Sequence, residues 1–247
     1  MRVIIPVAGR GTRLSHITSH LAKTLISIGG RPVLGRILDW ISPMDVSELV
    51  IVIGYLGDQV KAYIETQYDG QLPPIRFVEQ STPEGSGQAV WLALKDTAHS
   101  RESVLVINGD AIPIGQGATV FQGKLKHADP QKPAFSMLSV QEVADASRYG
   151  VVEVDNRGWV TSLEEKPAAP KSNLIISGCY YLKRSDYLFN ALDILIRYNV
   201  RLKGEFHLTA SLRHMLAFGE SMYTQNLTAL DCGNLVGIAA AESYFQT

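Results

Sequence analysis

Cysteine is scarce: Cys179 and Cys232 are the only two in 247 residues. Two distant thiols build no disulfide scaffold, and there is no Cys-x-x-Cys pair to start a zinc site. Reduced thiols in a cytoplasmic protein are expected. A surplus of either charge is also missing. Lys and Arg number 23 against 24 Asp and Glu, a formal net charge of −1, which leaves no electrostatic footprint for nucleic acid. No apolar run approaches the roughly 18 residues of a membrane-crossing helix. The early run Val3-Ile4-Ile5-Pro6-Val7 stops at Gly9-Arg10 instead of extending into a secretory core with a cleavage site. Repeats, low-complexity tracts and polar linkers are absent too. These absences point to a soluble, cytoplasmic chain with small-molecule partners, and no nucleic-acid or membrane partner.

Hydrophobic residues make up 46% and charged residues 19%, ordinary proportions for a globular chain. At this length roughly 70–75% of the unfolded surface can be buried. Short Val/Ile/Leu runs alternate with amphipathic segments through the first half. Strands are predicted at Val3–Val7, Leu49–Ile53, Ile75–Val78 and Val104–Ile107, and helices at Pro32–Ile41, Gly57–Gln67 and Gly87–Leu94. Strands without polar alternation are buried on both faces, the mark of a predominantly parallel sheet flanked by helices. The second half is less regular. Strands are expected at Ala134–Gln141, Val151–Val154, Val160–Glu164 and Leu174–Leu182, with a hairpin turn at Asp155-Asn156-Arg157-Gly158. Helices are expected at Ser185–Ile196, Phe206–Phe218 and Asn234–Tyr244. The fold class is therefore α/β, Rossmann-like, with a smaller mixed or antiparallel part. In such folds ligands bind beyond the carboxyl ends of the parallel strands.

The loop after the first strand reads Ala8-Gly9-Arg10-Gly11-Thr12-Arg13-Leu14. Glycines let a backbone approach phosphate oxygens closely, and Arg13 and Lys23 supply cationic charge; a plain tight turn is the other reading. A dinucleotide fingerprint requires a third glycine at Leu14 and an acidic residue near Ile28-Gly29-Gly30, and has neither. Gly-Lys-Ser/Thr of a P-loop is absent altogether. Asn108-Gly109-Asp110 closes the fourth strand, where a carboxylate suits a hard cation such as Mg²⁺ or simply caps a turn. In Glu79-Gln80-Ser81-Thr82-Pro83-Glu84-Gly85, the Gln80 amide offers one acceptor and two donors.

The Gly-x-Gly-Thr-Arg-Leu loop with its following Lys resembles that of the sugar-1-phosphate nucleotidylyltransferases. Further segments resemble the same family in order: Gln80 to Gly85, Asn108-Gly109-Asp110, Tyr149-Gly150-Val151-Val152-Glu153, Ser162-Leu163-Glu164-Glu165-Lys166-Pro167, Gly204-Glu205-Phe206-His207-Leu208-Thr209 and Asp231-Cys232-Gly233. Glucose-1-phosphate thymidylyltransferases and UTP–glucose-1-phosphate uridylyltransferases are the most similar members. The resemblance implies one nucleotidylyltransferase domain over 1–247, with a nucleotide-binding part over about 1–130 and a sugar-binding part over about 131–247. It assigns Ala8, Gly9, Gly11, Thr12, Gln80, Pro83 and Gly85 to nucleotide binding, with Gln80 reading the N3–H and a keto oxygen of uracil or thymine. It assigns Arg13, Lys23 and Lys166 to catalysis, Gly150 and Glu165 to the sugar, and Asp110 with Asp231 to Mg²⁺. A homo-oligomer is expected on the same ground.

Several positions depart from the family pattern. The glycine loop is one residue shorter than in most thymidylyltransferases and is closer to the uridylyltransferase form, so UTP and dTTP both stay open. His16 and Ala22 stand where Pro is common, and Ala210 where Asp is common. Ending at Thr247, the chain is expected to carry no β-helix acyltransferase domain. Two alternatives stand beside this reading: a cytidylyltransferase for a choline- or glycerol-type phosphate, and a regulatory paralogue without activity. His207 and His214, seven apart, lack a third ligand near them, and Trp40 and Trp91 fall on apolar helix faces as core residues. Trp159, after the turn, is expected to be exposed.

Overall fold

The apolar runs beginning at Val3, Leu49 and Val104 leave no polar alternate residue because both faces of their strands are covered. A computed structural model describes residues 1–126 and 135–246. In chain order, β1 (Arg2–Pro6) leads through a loop to the short α1 (Ser15–Thr18) and to a ribbon of β2 (Ser27–Ile28) and β3 (Arg31–Pro32). Strict alternation follows: α2 (Val33–Ile41), β4 (Glu48–Ile53), α3 (Gly57–Gln67), β5 (Ile75–Glu79), α4 (Ser86–Leu94), β6 (Val104–Ile107). After β7 (Ala111–Ile114) and α5 (Gly115–Lys126) come four strands, β8 (Ser136–Glu142), β9 (Gly150–Val154), β10 (Val160–Glu165) and β11 (Leu174–Leu182). The chain closes with α6 (Ser185–Arg197), α7 (Leu208–Ala217), β12 (Met222–Asn226), β13 (Thr228–Asp231) and α8 (Leu235–Gln246). The expected elements are all present with ends moved by a residue or two. The predicted start of one strand at Ala134 lies outside the described residues.

One nine-stranded sheet runs through both halves in the order β10-β9-β11-β6-β1-β4-β5, with β8 beside β11 and β12 beside β8. β1 pairs in parallel with β4 and β6, and β4 with β5. The antiparallel part is an extension of this sheet: β11 runs antiparallel to β6, β8 and β9. Alternate residues divide between two cores. Val3, Ile5, Leu49, Ile51 and Leu105 pack with α2 and α3, whereas Ile4, Val50, Val104 and Val106 pack with α4, α6 and α7. The connection reverses at β1, which lies between β4 and β6, so the carboxyl ends of β1 and β6 border one crevice.

Seven elements escaped the sequence reading: the short α1, β2 and β3, and β7, α5, β12 and β13. β7 and β13 pair only with each other, and β12 joins the sheet edge parallel to β8. Its segment Met-Tyr-Thr-Gln-Asn carries little apolar signal of its own. In α5, three glycines hide the helical pattern. At the expected hairpin, the Asp155 carboxylate accepts from the backbone N–H of Arg157 (2.8 Å) and Trp159 (2.9 Å), and Gly158 takes a positive φ of 86°. Trp159 is half-buried, not exposed: it meets Phe135 and Tyr223 edge-on at 5.1 and 5.4 Å. No helix among the described residues is long and apolar enough to cross a membrane.

Glu48 ties three parallel strands together. Its carboxylate accepts from Arg76 Nε at 2.8 Å and Arg2 Nε at 2.7 Å. Those two guanidinium groups, Arg76 first, hold its pKa below the usual carboxylate range against the opposing effect of burial. A depressed folded pKa means that the stabilisation is complete above the unfolded value of about 4.3 and is lost as pH falls through the folded value. Urea midpoints should therefore drop below about pH 4 in the native chain. Glu48→Gln should start lower at pH 7 and lose less on acidification.

Candidate active site

The loop after β1 turns away from the sheet at Gly11. Its φ is +64°, and a Cβ there would sit 3.0 Å from Thr18 Cγ2 and 3.3 Å from the Lys23 stem. Gly11 is thus required by the protein itself, both for its backbone and to admit Lys23. Gly9 is different: a Cβ there would meet nothing within 4 Å, and its exposed backbone faces the crevice. Gly11→Ala should cost about 1–2 kcal/mol of stability. Gly9→Ala should leave the unfolding midpoint in place and instead weaken any ligand that closes on the loop. Thermal unfolding beside nucleotide titration checks both.

A cavity of about 510 Å³ opens at the carboxyl ends of β1 and β6. Ala8, Gly9, Arg10, Gly11, Thr12 and Arg13 form one wall, with Lys23 beneath them. Gln80, Pro83 and Gly85 form a second, and Asn108, Gly109 and Asp110 the floor. Glu165, Lys166, Tyr180, His207 and Thr209 close the far side. Twelve of the fourteen residues singled out in the sequence line it. Gly150 and Asp231 stand just behind it, and their neighbours place them.

Asp110 follows β6, and Asp231 ends β13, the strand paired with β7. The backbone N–H of Cys232 donates to the carbonyl of Asp110 at 2.7 Å. A Cβ on Gly233 would lie 2.7 Å from Asp231 Oδ1 and 3.3 Å from Asp110 Oδ2, so these two oxygens are no more than about 6 Å apart. Lys23 Nζ makes an ion pair with Asp110 Oδ2. The Gly233 N–H donates to Asp231 Oδ1 at 2.8 Å. Burial, and after it the negative charge of Asp110 and Asp231, pushes the Cys232 thiol up to about 12. A long hydrogen bond of 3.4 Å links Tyr149 Oη to Asp231 Oδ2, and burial first, then Asp231, raises the pKa of that phenol. Arg13 is exposed on the rim and makes no ion pair or hydrogen bond with a described residue.

Across the cavity, the antiparallel register sets Glu165 opposite Gly150. A Cβ at Gly150 would lie 2.7 Å from Thr209 Oγ1 and 3.3 Å from Glu165 Oε2, so glycine leaves these two oxygens room to converge. Glu165 Oε1 faces Lys166 Nζ at 3.5 Å and His207 Nδ1 at 3.3 Å. The other ring nitrogen of His207 bonds the carbonyl of Leu202 at 3.2 Å. Lys166 adopts a φ of +45°, a left-handed conformation that costs a residue with a Cβ about 1–2 kcal/mol. Its N–H donates to the Tyr149 carbonyl at 2.9 Å, which holds the turn and sets the ammonium beside Glu165.

Gln80 corrects one expectation. Its Nε2 donates to the carbonyl of Gly85 at 3.1 Å and to Gln88 Oε1 at 2.6 Å. Both amide hydrogens are thereby used, and only Oε1 remains for a ligand, so Gln80 cannot also meet a keto oxygen. Sequence reasoning missed His207, Thr209 and Tyr149 as site residues. The Gly-Glu-Phe-His-Leu-Thr segment marks the neighbourhood of His207 and Thr209, but its sequence alone gives His207 no partner. Trp40 and Trp91 pack against the two cores as expected.

The nucleotidyl transferase family pattern matches residues 2–244. Over 216 residues the chain is 31% identical to the bifunctional protein GlmU of Methanocaldococcus jannaschii, covering 87% of this chain and 47% of that protein. It thus spans about half the length of that relative. It is 28% identical to the UTP–glucose-1-phosphate uridylyltransferase AglF of Haloferax volcanii, covering 90% of this chain and 86% of that one. The fold superposes on a crystal structure of UDP-glucose pyrophosphorylase complexed with UDP-glucose, with a TM-score of 0.81 and 22% identity over 99% of this chain and 98% of that one. A pattern matched from residue 2 to residue 244 and a cavity at the switch point of the sheet lead to one assignment: the chain belongs to the nucleotidyl transferase family.

Proposed function

We propose that this chain joins a nucleoside triphosphate, UTP or dTTP, to a hexose 1-phosphate, glucose 1-phosphate before others, giving a nucleotide-sugar and pyrophosphate. The observation that carries the reading is one cavity that sets a cationic glycine loop and Asp110, with Asp231 next to it behind Gly233, against Lys166 and Glu165. The first group suits a triphosphate, the second a phosphorylated sugar.

An oxygen of the sugar phosphate attacks the α-phosphorus of the nucleotide. The new phosphorus–oxygen bond forms as the bond to the β-phosphate oxygen breaks, and pyrophosphate leaves with that electron pair. No side chain has to remove a proton, because the attacking phosphate is already an anion. What the protein supplies is position and charge. Arg13 and Lys23 bind the β- and γ-phosphates as their charge grows. Lys166 orients the attacking phosphate, and Glu165 Oε2 with Thr209 Oγ1 holds sugar hydroxyls. Gln80 Oε1 accepts the N3–H of the base, and Ala8, Gly9, Gly11, Thr12, Pro83 and Gly85 enclose the nucleotide. Asp110 and Asp231 fit a hard divalent cation, since two carboxylates converge where an ammonium, Lys23, already balances one. When bound there, Mg²⁺ supplies positive charge to the reacting phosphates. A cytoplasmic homo-oligomer is the setting proposed for this activity.

Pyrophosphate release tests the reading, with Mg²⁺ and glucose 1-phosphate against UTP, dTTP, CTP, GTP and ATP in turn. Release with UTP or dTTP is expected. Release with none of the five, or only with CTP, GTP or ATP, would contradict it.

A further inference from the structure

Gln80 ends a run of side chains that begins some distance from the cavity. Arg201 Nη2 donates to Glu84 Oε1 at 2.5 Å, and Gln88 Nε2 donates to Glu84 Oε2 at 2.5 Å. Gln88 Oε1 then receives Gln80 Nε2 at 2.6 Å. The run has a polarity that nothing in it can reverse. A guanidinium only donates, and a carboxylate paired with it only accepts. Gln88 must therefore turn its NH₂ to Glu84 and its oxygen to Gln80. Gln80 must turn its NH₂ to Gln88 and to the Gly85 carbonyl, which also only accepts. A flipped Gln80 amide would have the same shape, but would set its oxygen against two acceptors at once.

Arg201 is itself held. Its Nη1 donates to the Gly204 carbonyl at 3.0 Å, and its guanidinium lies 4.0 Å from the Phe206 ring centroid. Backbone bonds join the two loops: Phe206 N–H donates to the Glu84 carbonyl and Gly87 N–H to the Phe206 carbonyl, both at 2.8 Å. The fixed donor at one end is thus anchored to the segment that carries the amides.

We propose that Glu84, Gln88 and Arg201 set base specificity by locking the Gln80 amide with its oxygen toward the base. The site then selects a pyrimidine edge that donates at N3, as uracil and thymine do, and rejects cytosine, which accepts there. None of the three touches the base; they are positioning residues. The inference rests on Gln80 being the base reader.

Calorimetric titration of the full chain with UTP and with CTP, both with Mg²⁺, tests it without depending on turnover. The native chain should bind UTP at least about a hundredfold more tightly than CTP, since a buried hydrogen-bonding group left facing its own kind is costly. Gln80→Ala should abolish that ratio. Glu84→Gln removes the acceptor-only end that orients Gln88 and leaves the Gly85 carbonyl as the one group still holding the Gln80 amide, and Gln88→Met removes the link at nearly constant volume. Each should cut the ratio at least about tenfold, with CTP gaining on UTP. Loosened packing alone would weaken both nucleotides alike and leave the ratio standing. If Gln80→Ala erases the preference while both other variants keep the native ratio, the relay is refuted and Gln80 stands as the reader. Should Gln80→Ala itself keep the ratio, or the native chain show none, the reading of Gln80 fails and the relay with it.

Discussion

Asp110→Asn is expected to lower turnover by about a hundredfold or more while the protein keeps its fold. Asparagine has nearly the shape of aspartate, and the backbone bond from Cys232 N–H to the Asp110 carbonyl does not involve the side chain. What disappears is one negative charge at the end of β6. Lys23 loses its partner and Asp231 is left as a single carboxylate, too little to fix a divalent cation beside the phosphates. The cost in stability is that of one partly exposed ion pair, with side-chain exposures of 16% for Lys23 and 35% for Asp110, or below about 1 kcal/mol. Steady-state turnover at saturating substrates, read beside a urea unfolding curve, checks both parts. A variant with near-native turnover would remove Asp110 from the chemistry, and one that unfolds would make it structural.

Arg13→Ala is the cleaner case. No described residue makes an ion pair or hydrogen bond with this side chain, and its exposed position means that truncation leaves no cavity. The unfolding free energy should therefore stay within about 0.5 kcal/mol of native. In the proposed mechanism Arg13 faces the negative charge that grows on pyrophosphate, so turnover should fall by about a hundredfold or more. Arg13→Lys should recover only part of it: an ammonium keeps the charge but not the two parallel donors of a guanidinium. Equal activity in Arg13→Ala would show the loop to be a tight turn and nothing more.

The parallel half of the fold could be read from the chain because its signal is local. Val3 to Val7, Leu49 to Ile53 and Val104 to Ile107 are each apolar on successive residues, which only a strand covered on both sides requires. β12 and β13 could not be read this way. They are placed by their partners: β12 by β8 and β13 by β7, across stretches of sequence that no periodicity connects. The site divides along the same line. Arg13, Lys23 and Gln80 stand in or near glycine- and proline-marked loops after strands. That Asp110 and Asp231 share a corner is the work of the β7–β13 ribbon, which spacing alone does not reveal. His207 was hidden for another reason. A histidine in an apolar context is commonly a core residue, and only the fold brings Glu165 to within 3.3 Å of it. The orientation of the Gln80 amide likewise depends on Gln88, Glu84 and Arg201, the last far along the chain.

Glucose 1-phosphate labelled with oxygen-18 throughout its phosphate group puts the central claim to its most direct test. The chain is incubated with this substrate, UTP or dTTP, and Mg²⁺, and both products are weighed by mass spectrometry. Attack by the sugar phosphate on the α-phosphorus leaves every labelled oxygen in the nucleotide-sugar and none in pyrophosphate, which is the result predicted here. Label appearing in pyrophosphate, or the absence of any nucleotide-sugar, would contradict it.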